Sequence, residues 1–161
     1  MVYYENLDPE SVKNLLNHYG IKVNHFDNHT DIPHSFWGNP EAGRLRDQLF
    51  IRGDTPIHSV LHEACHYICM PAEQRSAMLV DAKGTAEEEN ATCYLQILLA
   101  GHIVGYSRTQ ILKDMDDWGY SFRLGSAFAW FTQDAQDTQT WLINKQIINQ
   151  QQMPTWKLRN S

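Results

Sequence analysis

The chain has 161 residues, of which 42% are hydrophobic and 20% are charged, and its formal net charge is −6. That length suits one domain with a sizeable core, and the composition is that of an ordinary soluble globular protein. The acidic balance, without any basic cluster, argues against nucleic acid as a partner. No apolar run reaches the roughly 18–20 residues of a membrane-spanning helix, so we expect no membrane partner either.

The cysteines and the amino terminus indicate the compartment. Cys65, Cys69 and Cys93 are odd in number and lie in helical patterns, where buried free thiols are common. The first residues show no basic segment followed by an apolar one, so we predict no secretory signal. Both observations favour a reducing, cytoplasmic setting. A protein that is injected into a host or exported by an unconventional route would have the same pattern.

Residues 1–54 are expected to form one helix and a small sheet. Asp8 is a typical N-cap, Pro9 suits the first helical position, and apolar residues follow at helical spacing. Alternating and β-branched residues predict strands at 21–26, 35–37 and 45–52. Together these elements indicate an α+β fold with a small, mostly antiparallel sheet.

Residues 55–105 are expected to form the helices of a metal site. The first helix begins with Pro56 and is apolar around most of its circumference, so it is predicted to be buried, and its polar residues need partners. A connection of mixed character over 71–84 precedes the second helix. That helix begins near Thr85 and has glutamates in its first turn, where the helix dipole favours them.

Residues 106–148 are predicted to form C-terminal helices. One ends near Trp118, and it is followed either by one long helix or by two helices with a break near Asp134. The amide-rich tail 149–161 is expected to be loose at its end. We find neither a linker nor an internal repeat, so residues 1–161 are predicted to form a single domain.

The first central helix contains His62-Glu63-Ala64-Cys65-His66, which has the pattern H-E-x-x-H. Positions i and i+4 of a helix lie one turn apart on one face, so both imidazoles can reach one metal ion. Glu63 then lies beside the water that such a metal binds, which is the arrangement of a hydrolytic zinc site. The pattern also occurs by chance. The alternative is a pair of core histidines with hydrogen-bond partners and Glu63 at the surface.

A catalytic zinc ion has three protein ligands and one position for water, so a third ligand is needed. An extended motif with a third histidine is excluded, because Cys69 stands at its glycine position and Ala72 at its last histidine position. The other common solution is a glutamate from a following helix. Three are available there: Glu87, Glu88 and Glu89.

Glu88 is the favoured ligand, because it lies on the helical face that continues with the core residue Ala91. Glu88 is also the third residue after Thr85, as in a capping box, and in that role it would leave the metal to Glu87 or Glu89. A further alternative is that the acidic cluster is only a solvated first turn that matches the helix dipole.

Several other side chains are weaker candidates. His58 lies on the face of the motif, but it is about 12 Å along the helix from His66, too far to share one metal. Cys69 is explained as a packed thiol. Three residues are candidates for stabilising an oxyanion: His102, Tyr120 and Arg123.

The motif and the helix after it resemble the gluzincin metallopeptidases, and among them the compact ImmA/IrrE-type zinc peptidases. In that family H-E-x-x-H is followed by a helix with the pattern E-x-x-A-N-x-F-A-x-x-L-L. With Glu88 at the first position, four further positions agree, namely Ala91, Tyr94, Leu98 and Leu99. Thr92 and Leu95 depart from the pattern, and the likeness extends from about Leu45 to Leu99.

This resemblance implies that His62, His66 and Glu88 bind zinc and that Glu63 is the general base. It also implies that an edge strand over residues 49–52 pairs with an extended substrate. The expected function is a zinc metallopeptidase acting on a peptide or protein. The alternatives are a non-catalytic metal-binding regulatory protein and an interaction module that uses the aromatic C-terminal helices.

Overall fold

The computed structural model describes residues 1–75 and 84–160, and this part of the chain has an α+β fold, as predicted. The helices are α1 (Pro9–Asn17), α2 (Ile57–Cys69), α3 (Ala72–Arg75), α4 (Ala86–Ala100), α5 (Arg108–Trp118), α6 (Ala127–Gln133) and α7 (Gln136–Asn144). The strands are β1 (Lys22–Phe26), β2 (Gly43–Leu45) and β3 (Gln48–Arg52). α3 begins the predicted connection 71–84, most of which lies outside the described residues. Among the described helices, none is both long enough and apolar enough to cross a membrane.

Capping side chains set the starts of α1 and α4. The Asp8 carboxylate accepts the backbone N–H of Glu10 at the start of α1, and Thr85 Oγ1 accepts the N–H of Glu88 in α4. These contacts satisfy backbone donors that have no partner inside the helix. The predicted break near Asp134 is confirmed, since α6 ends immediately before it and α7 begins two residues after it.

The sheet is mixed and has the strand order β1-β3-β2. β2 and β3 form an antiparallel hairpin, but β1 pairs in parallel with β3, from Lys22 opposite Gln48 to Phe26 opposite Arg52. The expected antiparallel arrangement is therefore wrong for this pair. The reason is that β3 lies between β1 and β2, so that β1 neighbours the strand that runs in its own direction.

The segment before β2 is a loop, so the strand predicted at 35–37 is wrong. This loop packs against Gly43, where a Cβ atom would collide with the backbone carbonyl of Pro33. Only glycine allows this close approach. The loop exposes Phe36 and Trp37 to solvent.

α2 and α4 pack side by side through the centre of the molecule and share more contacts than any other two elements described. Their fully buried side chains include large apolar residues, namely Ile57, Leu61, Ile68, Tyr94, Leu95 and Leu98. Polar side chains that face this interface must find their partners inside it, because burial without a hydrogen bond is costly.

The C-terminal tail is held in place near its end, at Arg159, contrary to the predicted loose end. The backbone N–H of Arg159 donates to the carbonyl of Ile68 near the end of α2. Its Nη1 donates to the carbonyl of Cys69 at 3.0 Å and to Glu88 Oε1 at 3.2 Å. These side-chain contacts join residues that are 90 and 71 positions apart in the sequence, so they cannot be predicted from a local pattern.

We expect Arg159→Met to lower the free energy of unfolding by about 3 kcal/mol, because Glu88 would lose its cation in a largely buried site. Chemical denaturation measures the change. The matched control is Lys157→Met, which removes an exposed cation from the same segment and should change the stability by no more than about 0.5 kcal/mol. Equal stability of the two variants would contradict the assigned role of Arg159.

Candidate metal centre

The two motif histidines project from α2 toward the first turn of α4. The Nε2 atoms of His62 and His66 are 3.0 Å apart. Glu89 Oε1 lies 3.2 Å from His62 Nε2, and Glu89 Oε2 lies 3.3 Å from His66 Nε2. These three side chains offer ligand atoms that all lie within 4.8 Å of one another. The structure thus groups two imidazoles and one carboxylate where a metal ion can bind.

The separations suit a zinc ion. In a tetrahedral site with zinc–ligand distances of about 2.0–2.1 Å, neighbouring ligand atoms lie about 3.3 Å apart. The observed separations of 3.0, 3.2 and 3.3 Å are close to that value. Two imidazoles and one carboxylate also leave a tetrahedral position for water, as catalytic zinc sites do. The same donor set accepts other transition metals, so the geometry identifies a metal site but not its metal.

Glu89 is the carboxylate at this site, which corrects the expected ligand Glu88. Glu88 follows the cap formed by Thr85, and its side chain pairs with Arg159. The next residue is turned by about 100° around the helix, which brings Glu89 to the side that faces α2. The prediction of Glu88 assumed that one face of the helix, the face of Ala91, is the buried one. This assumption fails because α4 is buried around its circumference beyond the first turn. Glu87 is exposed and lies outside the cluster.

Because the glutamate at the site is Glu89 and not Glu88, part of the resemblance described from the sequence no longer applies. The pattern E-x-x-A-N aligns with Glu88, whereas the glutamate at the site is Glu89. The agreement at Ala91, Tyr94, Leu98 and Leu99 is therefore out of register with the metal site. What the structure retains is an H-E-x-x-H helix with a glutamate from a later helix, an arrangement compatible with a zinc site.

A buried amide fixes the ring of His62. Gln96 is fully buried, and its Nε2 donates to the backbone carbonyl of His58 at 3.2 Å. Its Oε1 lies 2.6 Å from His62 Nδ1 and must therefore accept the N–H of that ring. A hydrogen on Nδ1 leaves the lone pair of the neutral imidazole on Nε2, the atom that faces Glu89.

The sequence analysis missed Gln96. The available signal was a long polar side chain in an apolar stretch of α4, seven residues after Glu89 and thus two turns along the same face. A buried polar residue at that spacing needs a partner, and a ligating histidine needs a hydrogen-bond acceptor for its second nitrogen.

Tyr120 is the one of the three oxyanion candidates that lies near the cluster. Its hydroxyl is 3.0 Å from His58 Nδ1 and 3.5 Å from Gln96 Nε2, and its ring stands edge-on to that of His62 at 5.7 Å. Burial raises the pKa of Tyr120 to about 12, so the hydroxyl stays protonated at neutral pH. Burial also lowers the pKa of His58 to about 4, which keeps that ring neutral.

The other two candidates lie elsewhere. His102 packs edge-on against Trp156 and borders a separate open cleft of about 410 Å³. Arg123 pairs with Asp134 at the surface, and its side chain is 77% exposed. Cys69 is buried and is not part of the metal cluster.

Glu63 stands beside the cluster without belonging to it. Its side chain is 23% exposed, and Arg44 Nε lies 3.9 Å from its Oε2. Burial raises the pKa of Glu63, although the charges of His62 and Arg44 act against the shift. A carboxylate with a raised pKa accepts a proton more readily, which is the property of a general base.

The two imidazoles hold protons differently. Burial, and then the charge of His62, lower the pKa of His66. Burial also opposes a charge on His62, but the carboxylate of Glu89, which accepts a hydrogen bond from the ring, favours the charged form, and the pKa of His62 is raised. In the metal-free protein, His62 is therefore the charged ring of the pair: Nδ1–H donates to Gln96, and Nε2–H donates to Glu89.

Comparison of the chain with protein-family models, with curated proteins and with solved structures finds no match. The functional interpretation therefore depends on the geometry and chemistry of this centre.

The third ligand can be tested by isosteric substitution. We expect Glu89→Gln to weaken zinc binding by more than about 100-fold, since even the loss of a residue that only supports a ligand costs about 10- to 100-fold. Glu87→Gln is the matched control and should retain the affinity of the parent protein. Competition with a chromophoric chelator measures the affinities. If Glu88→Gln lost zinc while Glu89→Gln retained it, the assignment would be overturned.

Zinc uptake should release one proton per metal ion near neutral pH. The raised pKa of His62 means that its Nε2 must lose a proton before it can ligate, whereas the lowered pKa of His66 leaves that ring already neutral. Affinity should therefore rise with pH by up to about tenfold per unit while His62 is protonated. Calorimetric titration in buffers of different ionisation enthalpy counts the protons. A count of zero or two at pH 6, where a zinc-bound water would still hold its proton, would contradict the pKa shifts.

Proposed function

We propose that this chain is a zinc-dependent peptidase in which His62, His66 and Glu89 hold the metal and Glu63 is the general base. The observation that carries the proposal is the position of Glu63, next to a three-ligand cluster but outside it. A structural zinc ion is closed by four protein ligands and has no need of a base. Three ligands and a separate carboxylate are the parts of a hydrolytic centre.

Zinc, when bound, lowers the pKa of a water molecule from 15.7 toward about 7. Glu63 takes a proton from the water that attacks the peptide carbonyl and later delivers a proton to the leaving amine. Gln96 keeps His62 in the tautomer that can ligate. Tyr120 has a neutral hydroxyl, and its ring stands edge-on to that of His62, which makes Tyr120 the candidate donor to the carbonyl oxygen as negative charge develops there.

A peptide or protein substrate is expected to pair with β2. The residues predicted for this role, 49–52, lie in β3, which is the central strand and has a neighbour on both sides. β2 is an edge strand, and its residue Arg44 reaches Glu63 in α2. An extended chain that added to β2 would therefore pass close to the general base.

The decisive variant is Glu63→Gln, which should retain zinc and lose turnover by about 100- to 10,000-fold, the usual contribution of a general acid–base group. Zinc content is measured by elemental analysis, and cleavage is measured on a peptide library by mass spectrometry.

Two controls accompany this assay. Glu87→Gln removes an exposed carboxylate from the same helical pair and should leave cleavage unchanged. Removal of zinc with a chelator should abolish cleavage, and added zinc should restore it. Zinc-loaded protein that cleaves no peptide would favour the metal-binding regulatory alternative, and full activity of Glu63→Gln would refute the assigned base.

A further inference from the structure

Arg44 is a buried cation at the site that takes no part in proton transfer. Its side chain is only 9% exposed. Nη1 donates to the carbonyl of Arg46 at 3.2 Å, and the guanidinium lies over the ring of Tyr67, 5.9 Å from its centroid. Nε is buried and has no hydrogen-bond partner among the residues that the structure describes. A charged donor in this position is costly unless a ligand completes its contacts.

Glu63 does not fill this role. The 3.9 Å between Arg44 Nε and Glu63 Oε2 is an ion-pair distance but is too long for a hydrogen bond. The proposed base must also direct its carboxylate toward water, so it cannot remain the fixed partner of a guanidinium. The charge of Arg44 acts on both Glu63 and His66, which places the cation at the border of the metal centre.

We propose that Arg44 binds a carboxylate of the substrate beside the metal centre, an inference that rests on the proposed peptidase function. The planar guanidinium presents parallel N–H groups that match the two oxygens of a carboxylate, a match that a lysine does not offer. The carboxylate is either the free C-terminus of a peptide or an acidic side chain near the scissile bond. The preferred substrates are thus peptides with an anionic group that lies beside β2 when the scissile bond is at the metal centre.

The test uses three sets of N-acetylated hexapeptides with the zinc-loaded protein. One set has free carboxyl termini and no acidic side chain, one is C-terminally amidated and contains a single Glu, and one is amidated without any acidic residue. We expect one of the two anionic sets to be cleaved about 10- to 100-fold faster than the neutral set, the usual effect of a charge-assisted hydrogen bond. The faster set identifies the source of the carboxylate.

Substitution of Arg44 decides whether the preference depends on this residue. Arg44→Gln should bring the ratio between the anionic and neutral sets close to one, and Arg44→Lys should restore only part of it. Arg46→Gln, which removes an exposed arginine from the same hairpin, is the matched control and should keep the full ratio. Absence of a preference in the parent protein would overturn the proposal. So would an equal loss for all three sets in Arg44→Gln, since Arg44 would then act only through Glu63.

A binding measurement separates this proposal from the peptidase proposal. Immobilised, zinc-loaded Glu63→Gln should retain the anionic set at least about 10-fold better than the neutral set, and the double variant with Arg44→Gln should not. If the anionic set is selectively retained but the parent protein cleaves no peptide, the carboxylate site is supported and the peptidase proposal is refuted. If the parent protein cleaved peptides but neither measurement showed a preference for the anionic sets, the peptidase proposal would be supported and the carboxylate site refuted.

Discussion

The hydrogen bond between Gln96 Oε1 and His62 Nδ1 joins the two central helices and decides which atom of His62 can bind a metal. It lies in an apolar interface, where an unpaired amide or imidazole would be costly. The opposite end of the same amide is held by the carbonyl of His58, one turn earlier in α2. Because Glu89 and Gln96 share one face of α4, a small rotation of that helix would lose the supporting hydrogen bond and the third ligand together.

This dependence explains which parts of the site the sequence could predict. His62, Glu63 and His66 required only helical spacing, which is a local property. The choice between Glu88 and Glu89 depends on how α4 is rotated against α2, and that is set by packing. Beyond its first turn α4 is buried on all sides, so its apolar residues mark no direction toward α2, and the polar Gln96 is the signal for that face. The distant Arg159 then takes the carboxylate of Glu88.

The fold divides in the same way between local and long-range determinants. Helix starts follow from capping residues such as Asp8 and Thr85, whose partners lie two or three residues away. The parallel pairing of β1 follows from the insertion of β3 beside it, which no periodicity encodes. The same insertion makes β2 an edge strand and places Arg44 beside Glu63, so these features next to the candidate metal centre depend on long-range pairing.

The three side chains of the candidate metal centre come from helices that are separated in the chain only by residues 70–85. A metal ion that joins them closes a short loop, so the loss of chain entropy is small. It needs neither the sheet nor the C-terminal segment to be in place. Contacts of short sequence separation form early in folding, and metal binding supplies free energy to whichever state contains the ligands. The helical pair can therefore serve as a metal-stabilised nucleus, onto which Arg44 and Arg159 are brought from distant parts of the chain.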